Sequence, residues 1–339
     1  MPHSPPRRLI LGALLAGLAP ALAGPVVAQA PDEFAPCPPL ADLVRHPLLV
    51  ASLYRLPAGP YNADGAAGAN RDGYKWIEEQ RQGAEWIVRG RAEGRADWCD
   101  LGWRQLDWGL ARQVAAGGAD SGSFGSGDPF HSTSFFVEAL ARACLIDPSG
   151  ATGDRRAGLA RAAMWLMSPR AEARGVPNNR PFTHRRYILA AAFGQSAAVT
   201  GDKAFADRAT AWAEEGLGLQ RDDGTDPERD GYDAGYQMVG VLMALRYLPV
   251  CLDPGLRGRL RAMVRKATAP ELQRLGPDGR IDMTGSTRIG KEKSRSGQVK
   301  DVPYGEILQA LVYGAQALPQ PEWLEPAERI ARARNWLKI

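Results

Sequence analysis

Apolar residues recur at three- and four-residue spacing along most of the chain, and runs that alternate β-branched with polar residues are few. This pattern predicts an almost entirely α-helical protein. Segments rich in Gly, Asp, Pro and Ser separate the helical stretches, for example GGADSGSFGSGDP at 117–129 and RDDGTDPERDG at 221–231. The predicted helices cover 72–90, 98–116, 131–146, 155–168, 184–200, 203–217, 233–249, 254–268, 305–317 and 322–337.

The predicted helices are joined alternately by short turns and long loops, which indicates antiparallel hairpins arranged around a common axis. We therefore expect an α/α toroid. A helical-repeat solenoid is the alternative, but the chain shows no self-similarity at a fixed period. No Ser/Gly-rich linker divides residues 31–339, so we expect them to form a single domain. The long polar loops are where a cleft and its chemistry are expected.

Residues 1–30 have the composition of a secretory signal peptide. A basic start with Arg7 and Arg8 is followed by an apolar run and an Ala-Gln-Ala cleavage site that ends at Ala30. Glycines and prolines interrupt the apolar run, which is too short to span a membrane. We expect a periplasmic or secreted protein without stable membrane anchoring. The general secretory route is expected, although the arginine pair also permits a twin-arginine signal.

The net charge and the composition of the chain limit the kinds of partner and cofactor that we expect. The formal net charge of the 339-residue chain is +4, and it falls to +2 without the two arginines of the signal segment. This balance argues against nucleic acid as a partner. No Cys-x-x-Cys motif or His/Cys cluster indicates a metal site, and we expect neither a metal nor a cofactor. Disulfides and buried free thiols both remain open for the four cysteines, Cys37, Cys99, Cys144 and Cys251.

The segment PNNRPFTHRRYILAAAF carries the first group of candidate residues. Asn178 and Asn179 are placed to cap the following helix, with His184 and Tyr187 three residues apart on one face. Amides and an imidazole at a helix start can bind a substrate and move a proton. The alternative is a capped helix whose histidine has only a structural role.

The segment DDGTDPERDGYDAGYQ carries the second group. Arg229, Tyr232 and Tyr236 recur at three, four and seven residues, so one helical face would present a guanidinium and two phenols. A phenol can protonate a leaving oxygen, and a nearby guanidinium can neutralise a substrate carboxylate. The alternative is that the tyrosines pack at a helix interface with bonded hydroxyls.

Two further segments offer substrate-binding residues. The basic loop STRIGKEKSRSGQVKD contains Arg288, Lys291 and Arg295, which would clamp a polyanion unless the loop is merely solvated. In DPFHSTSFF, His131 stands at the mouth of a helix beside aromatic rings that can stack on sugars. Trp103 is a candidate for a sugar groove, although most tryptophans in this region are expected in the core.

The first two segments together resemble the poly-mannuronate type of alginate lyase, a family of exported α/α-toroid enzymes. The family pattern is an Asn-Asn-His-x-Tyr helix start, followed by an arginine and a catalytic tyrosine seven residues apart. Asn178-Asn179 with His184 resembles the first element, and Arg229 with Tyr236 has the spacing of the second. The histidine directly follows the asparagine pair in the family but stands at 184 here. The resemblance covers roughly 177–248.

The resemblance implies an exported polysaccharide lyase that cleaves a uronate-containing acidic polysaccharide by β-elimination. Asn179 and an arginine, either Arg229 or one from the 288–295 loop, would bind and neutralise the substrate carboxylate. His184 or Tyr236 would remove the proton α to that carboxylate, and Tyr236 would protonate the departing glycosidic oxygen. Asn178, Tyr232 and His131 would contact the substrate.

Two other functions fit the sequence. A glycoside hydrolase on the same fold needs two carboxylates on either side of the scissile bond. A non-catalytic polysaccharide-binding or export-associated protein needs neither acid nor base. The candidate carboxylates for hydrolysis are Asp128, Asp223, Glu228, Asp233 and Asp282.

Overall fold

The computed structural model describes residues 36–53, 65–66, 77–125, 128–294 and 297–337. Within these ranges the protein is all-α, and β-type pairing is confined to four isolated bridges. The predicted fold class is therefore confirmed. The predicted signal peptide and Arg295 lie outside the described residues. The α-helices of the described part are α1 Leu40–Leu43, α2 Pro47–Leu53, α3 Gln82–Glu93, α4 Ala96–Leu110, α5 Pro129–Ile146, α6 Gly153–Leu166, α7 Pro169–Asn179, α8 His184–Thr200, α9 Lys203–Leu217, α10 Tyr236–Tyr247, α11 Pro254–Arg274, α12 Tyr304–Ala317 and α13 Leu324–Ala333.

Local capping explains why α8 and α9 have the predicted bounds. Gly201 ends α8 in the left-handed conformation, with φ of 76°, and its N–H donates to the Ala197 carbonyl. The Asp202 side chain then accepts a hydrogen bond from the Ala204 N–H at 2.9 Å and starts α9. Asp128 caps α5 in the same way, through the His131 N–H at 3.3 Å.

Helix α7 was not predicted, and it changes the position of the asparagine pair. Ser168 caps this helix through the Ala171 N–H at 3.2 Å, and the helix accommodates Pro177 in its last turn. Asn178 and Asn179 therefore end α7 and do not cap α8, as the sequence had suggested. The proline and the polar composition of the segment concealed the helix.

Helix α10 begins later than predicted. It starts at Tyr236, because Asp233 accepts hydrogen bonds from the Gly235 and Tyr236 N–H groups and Gly235 is not helical. Arg229 has a φ of 58° and lies in the preceding loop. The expected helical face that joins Arg229, Tyr232 and Tyr236 is therefore wrong.

The helices form an inner and an outer layer. In the inner layer α5 packs against α3 and α8, α10 packs against α8 and α12, and α2 contacts both α12 and α3. Helices α4, α6, α9, α11 and α13 pack on α3, α5, α8, α10 and α12 respectively. Burial separates the layers, since 12 of 17 residues are buried in α8 but 5 of 15 in α9. The toroidal arrangement stays a prediction.

Helices α8 and α10 approach each other closely beside His184. Gly240 of α10 faces α8, and a Cβ added there would lie 3.3 Å from the His184 Cα. The small residue lets the two helices touch at the first turn of α8.

All described residues fall within one compact unit, Asp32–Ile339. The four cysteines are free thiols in this structure, and Cys144 and Cys251 are buried while Cys37 and Cys99 are partly buried. No helix in the described ranges has the length and apolar character needed to cross a membrane.

Candidate functional site

A cavity of ≈ 730 Å³, here called the central cavity, opens between the inner helices at their N-terminal ends. Helix N-termini carry partial positive charge, so their convergence favours a bound anion. Arg288, Lys293 and Lys300 line one side of the cavity. Each of the five long inner helices contributes a residue of its first turn: Gln82, His131, His184, Tyr236 and Glu306.

His184 is held in the cavity wall by Glu228. The carboxylate accepts the His184 backbone N–H on Oε1 at 2.9 Å, and its Oε2 lies 2.8 Å from the imidazole Nδ1. Both side chains are buried. The backbone hydrogen bond also caps α8, where Thr183 makes no side-chain cap. Nε2 is the ring nitrogen that has no hydrogen-bond partner among the described residues.

Burial shifts the pKa values of His184 and Glu228 in opposite directions. It lowers the pKa of His184 well below its usual value, and the charges of Arg185 and Arg288 lower it further. Burial raises the pKa of Glu228 to about 8, against the opposing effects of the His184 N–H and Arg288. Near neutral pH the imidazole is therefore uncharged.

Tyr236 stands next to His184, with the ring centroids 4.8 Å apart. The Arg288 guanidinium carbon lies 3.7 Å from the centre of the Tyr236 ring, and the Lys300 Nζ lies 5.2 Å from it. Within the described residues the phenolic hydroxyl makes no hydrogen bond. Negative charge that develops on its oxygen would lie close to two cations.

Arg185 brings a half-buried guanidinium to the cavity with no ion pair to any described residue. Its Nη1 donates to the Asn179 Oδ1 at 2.8 Å, and its guanidinium carbon lies 4.4 Å from the centre of the Phe182 ring. Burial lowers the pKa of Arg185 to about 10, and the neighbouring Arg288 adds to this effect. A half-buried cation without a carboxylate partner is a ready site for an anionic ligand.

His131 lines the cavity from α5. Its ring packs against Phe135 with centroids 4.7 Å apart, and its buried Nδ1 has no hydrogen-bond partner in the described part of the chain. Burial and the charges of Arg185, His184 and Arg81 lower the pKa of His131 well below its usual value. A neutral His131 can therefore donate or accept a hydrogen bond to a ligand.

Carboxylates line the side of the cavity formed by α3 and α12. Glu78, Glu79, Asp301 and Glu306 lie there. Burial raises the pKa of Glu79, with Arg81 opposing it. Arg81 also lines the cavity beside Glu79, so this side carries charges of both signs, while Arg185, Arg288 and Lys300 line the cavity elsewhere.

The floor of the cavity is a buried network of charged groups. Arg142 donates to Glu85 at 2.9 Å and to Glu138 at 3.0 Å. Arg246 donates to Glu85 at 3.2 Å and to the Gln309 Oε1 at 2.8 Å. These contacts join α3, α5, α10 and α12 below the site and fix their spacing.

Four of the predicted site residues line the cavity: His131, His184, Tyr236 and Arg288. Arg288 differs from the expected loop clamp because it is buried, at 4% exposure, between Phe182 and Tyr236. It donates to Glu228 and Glu292, each at 3.2 Å. Glu228 and Glu292 therefore fix the position of the Arg288 guanidinium.

Asn179, Asn178 and Arg229 lie outside the lining. Asn179 is buried and donates to the Gly175 carbonyl at 2.6 Å, so its contact with the site runs through Arg185. Asn178 is exposed, and its carbonyl accepts from Arg185 at 3.4 Å. Arg229 is half-exposed and pairs with Glu292 at 2.7 Å.

Tyr232, Trp103 and Lys291 also lie outside the lining. The Tyr232 hydroxyl hydrogen-bonds to Glu271, and burial followed by the Glu271 charge raises its pKa. Trp103 is buried and donates from Nε1 to Asp147 at 2.7 Å, which satisfies the indole in the core. Lys291 is exposed.

The hydrolytic carboxylates proposed from the sequence also lie outside the lining. Asp128 and Asp233 cap helices α5 and α10. Glu228 binds His184 and Arg288, while Asp223 and Asp282 accept hydrogen bonds within their own turns.

Sequence reasoning missed Arg185, Phe182 and Glu292. Arg185 stands next to Arg186 in the chain, and only the helix geometry shows which of the two faces the cavity. Phe182 packs against the guanidiniums of both Arg185 and Arg288. The position of Glu292 among the cations of the 288–300 segment was the available signal, and only the structure shows that it pairs with Arg229, Arg288 and Lys300.

Comparison with known proteins bears on the fold only. No family model matches the chain, and no curated protein matches it. Among solved structures the chain is similar to the Lin0763 protein from Listeria innocua, with a TM-score of 0.51 and 13% sequence identity. The similarity covers 84% of this chain and 86% of that one. At this identity it supports the all-α fold and carries no function.

Proposed function

We propose that the protein is an exported polysaccharide lyase that cleaves a uronate-containing polymer by β-elimination, on an inner helix layer closed as a toroid. One observation carries the proposal. The half-buried Arg185 guanidinium, without an ion-pair partner among the described residues, shares a cavity with a histidine and a phenol. An anion-binding cation, a base and an acid are the groups that elimination from a uronate requires.

The substrate carboxylate would bind Arg185, which Asn179 and Phe182 orient. Removal of the proton α to this carboxylate produces an enolate-like transition state, and a preorganised cation in a buried site stabilises that charge. Asn179 thus acts as a positioning residue in this account. The family resemblance had assigned it direct contact.

His184 Nε2 would accept the α-proton, because Glu228 occupies Nδ1. The electron pair of the broken C–H bond forms the new C=C bond, and the glycosidic C–O bond breaks. The Tyr236 hydroxyl then protonates the departing oxygen. Arg288 and Lys300 stabilise the phenolate that remains until a proton returns.

A glycoside hydrolase is the second candidate. The observation in its favour is the acidic side of the cavity, where burial raises the pKa of Glu79 in the direction that a general acid needs. Glu306 lies on the same side. Hydrolysis would use these carboxylates and would leave Tyr236 dispensable.

A panel of acidic polysaccharides separates the two reactions. The protein is incubated with each polymer while ultraviolet absorbance of a new conjugated C=C bond and new reducing ends are both recorded. Elimination produces the two signals together. New reducing ends without absorbance would support hydrolysis, and binding without turnover would support a carbohydrate-binding protein.

A further inference from the structure

Glu292 is surrounded by three cations. Its Oε1 lies 2.7 Å from the Arg229 Nη2, and its Oε2 lies 2.7 Å from the Lys300 Nζ and 3.2 Å from the Arg288 Nε. Glu292 therefore carries one negative charge among three positive charges. We call Arg229, Arg288 and Lys300 the Glu292 cluster.

The Glu292 cluster borders the central cavity. Arg288 and Lys300 line the cavity and lie over the Tyr236 ring. Phe182 contacts both Arg185 and Arg288 of the cluster, because their guanidinium carbons lie 4.4 and 4.3 Å from its ring centroid. The guanidinium carbons of Arg185 and Arg288 can therefore be no further apart than the sum of these two distances, so both cations lie near the same part of the cavity.

We infer that Arg229, Arg288 and Lys300 form a second carboxylate subsite, which Glu292 occupies until a uronate unit next to the reacting one displaces it. The inference rests on the proposed function and narrows its substrate class to polymers with contiguous uronates. Arg185 would take the carboxylate of the reacting unit. The Glu292 cluster would take the next.

The hairpin that carries Glu292 allows this exchange. Lys300 N–H donates to the Glu292 carbonyl at 2.8 Å, and Gly290 N–H donates to the Lys300 carbonyl at 2.9 Å. These backbone bonds hold the hairpin while the Glu292 side chain rotates away. The exchange replaces one carboxylate by another of equal charge, and the 55% exposed Arg229 side chain gives access from solvent.

The first test measures anion binding, so it does not depend on turnover. Sodium sulfate and sodium glucuronate are titrated by calorimetry at low ionic strength into the parent protein, Glu292→Gln and Glu214→Gln. Glu214 pairs with Arg259 on the surface, so its variant loses one negative charge and one ion pair away from the cavity. We expect Glu292→Gln to bind sulfate about ten-fold more tightly than the parent, which corresponds to roughly 1.4 kcal/mol. The Glu214 variant should match the parent.

Equal or weaker sulfate binding by Glu292→Gln would overturn the inference and leave Glu292 as a structural tie of the hairpin. A second variant covers the case in which Glu292→Gln fails to fold. Arg229→Gln removes a half-exposed cation, and the subsite predicts weaker sulfate binding to it. An unchanged affinity of Arg229→Gln would also overturn the inference.

The predicted preference for contiguous uronates is tested separately, by comparing kcat/KM on two polymers. Arg229→Gln should lower kcat/KM several-fold for a contiguous uronate polymer and leave an alternating uronate–hexosamine polymer almost unaffected, because only the former fills both subsites. Equal losses on both polymers would count against the subsite. If neither polymer yields unsaturated product, the proposed function fails, and the sulfate titration still decides whether the subsite exists.

Discussion

Glu228 binds His184 at two points, the backbone N–H at 2.9 Å and the ring Nδ1 at 2.8 Å, although 44 residues separate them in the chain. One carboxylate therefore caps helix α8 and selects the imidazole tautomer. The first role contributes to stability and the second to reactivity. A substitution that preserves the cap can separate the two.

Above about pH 8, Glu228→Gln should reduce kcat by roughly 10²–10⁴-fold with little loss of fold. The amide oxygen can still accept the His184 N–H, but the amide NH₂ donates to Nδ1 and forces the proton onto Nε2, so that Nε2 can no longer act as a base. The check is steady-state turnover together with thermal unfolding. A variant as active as the parent would show that His184 is not the base.

The pH profile tests the same pair. Below about pH 8 the Glu228 carboxyl holds its proton toward Nδ1, and the imidazole hydrogen sits on Nε2. Above this pH the carboxylate accepts an Nδ1–H, and Nε2 becomes free to take a proton. We expect the kcat of the parent to rise with pH through about 8, and this rise to be absent in Glu228→Gln. A rise that persists in the variant would assign it to another group.

Tyr236→Phe keeps the ring between His184 and Arg288 and removes only the hydroxyl. Turnover should fall by roughly 10²–10⁴-fold, the usual contribution of a positioned acid or base, while the unfolding midpoint changes little. Tyr232→Phe is the matched control. Its hydroxyl binds Glu271 outside the cavity, so that variant should lose stability and keep its turnover. Exchanged phenotypes would place the proton donor at 232.

Arg185 and Arg186 are adjacent in the chain and face different surroundings. Arg185→Gln should raise KM for a uronate polymer by about ten-fold or more and also lower kcat, since it removes the cation that meets the carboxylate and stabilises the enolate-like transition state. Arg186 donates to Glu215 at 2.9 Å and to the Asn179 carbonyl at 2.7 Å. Arg186→Gln should therefore lower the unfolding temperature without changing KM. Equal KM values for Arg185→Gln and the parent would remove the main support for an anionic substrate.

The buried Asp226 carboxyl should make the stability of the protein depend on pH. Its side chain is 1% exposed, and burial followed by the charge of Glu228 raises its pKa from 3.8 to about 8. The folded protein then holds this proton more tightly than the unfolded chain does, so the contribution of Asp226 to stability is lost as pH rises through about 8. Asp226→Asn should therefore raise the unfolding free energy above that of the parent at about pH 9, by more than about 1.4 kcal/mol because the shift exceeds one pKa unit, and change it little at about pH 4, where the unfolded chain also begins to hold the proton.

Thermal unfolding at the two pH values measures this effect. Asp223→Asn is the control, because Asp223 is exposed and accepts the Thr225 N–H in its own turn, a bond that asparagine can also accept. A pH-independent effect of Asp226→Asn would mean that Asp226 ionises normally in the folded state.

The local sequence pattern predicted the positions of the helices better than it predicted the site. Apolar periodicity identified the long helices, and Gly201 with Asp202 marked the junction between α8 and α9. The same rules failed at 169–179, where Pro177 and the polar residues concealed a helix that Ser168 caps. They also placed the start of α10 too early, since a contact with Asp233, not the apolar pattern, determines that start.

The site was only partly predictable. His184, Tyr236, His131 and Arg288 were identified from residue type and from the resemblance, and all four line one cavity. The partner of His184 depends on a loop that folds back 44 residues later, and no local rule anticipates this contact. The spacing of Arg229 and Tyr236 suggested a shared face, but the loop conformation directs Arg229 to Glu292.

The most direct test of the account is the fate of water during cleavage. A contiguous uronate oligosaccharide is incubated with the protein in water enriched in heavy oxygen, and the products are analysed by mass spectrometry. Elimination predicts two fragments whose masses together equal that of the substrate, one of them unsaturated, with no heavy oxygen at the cleaved linkage. Fragments that together carry one added, labelled water and no double bond would contradict the account and establish hydrolysis.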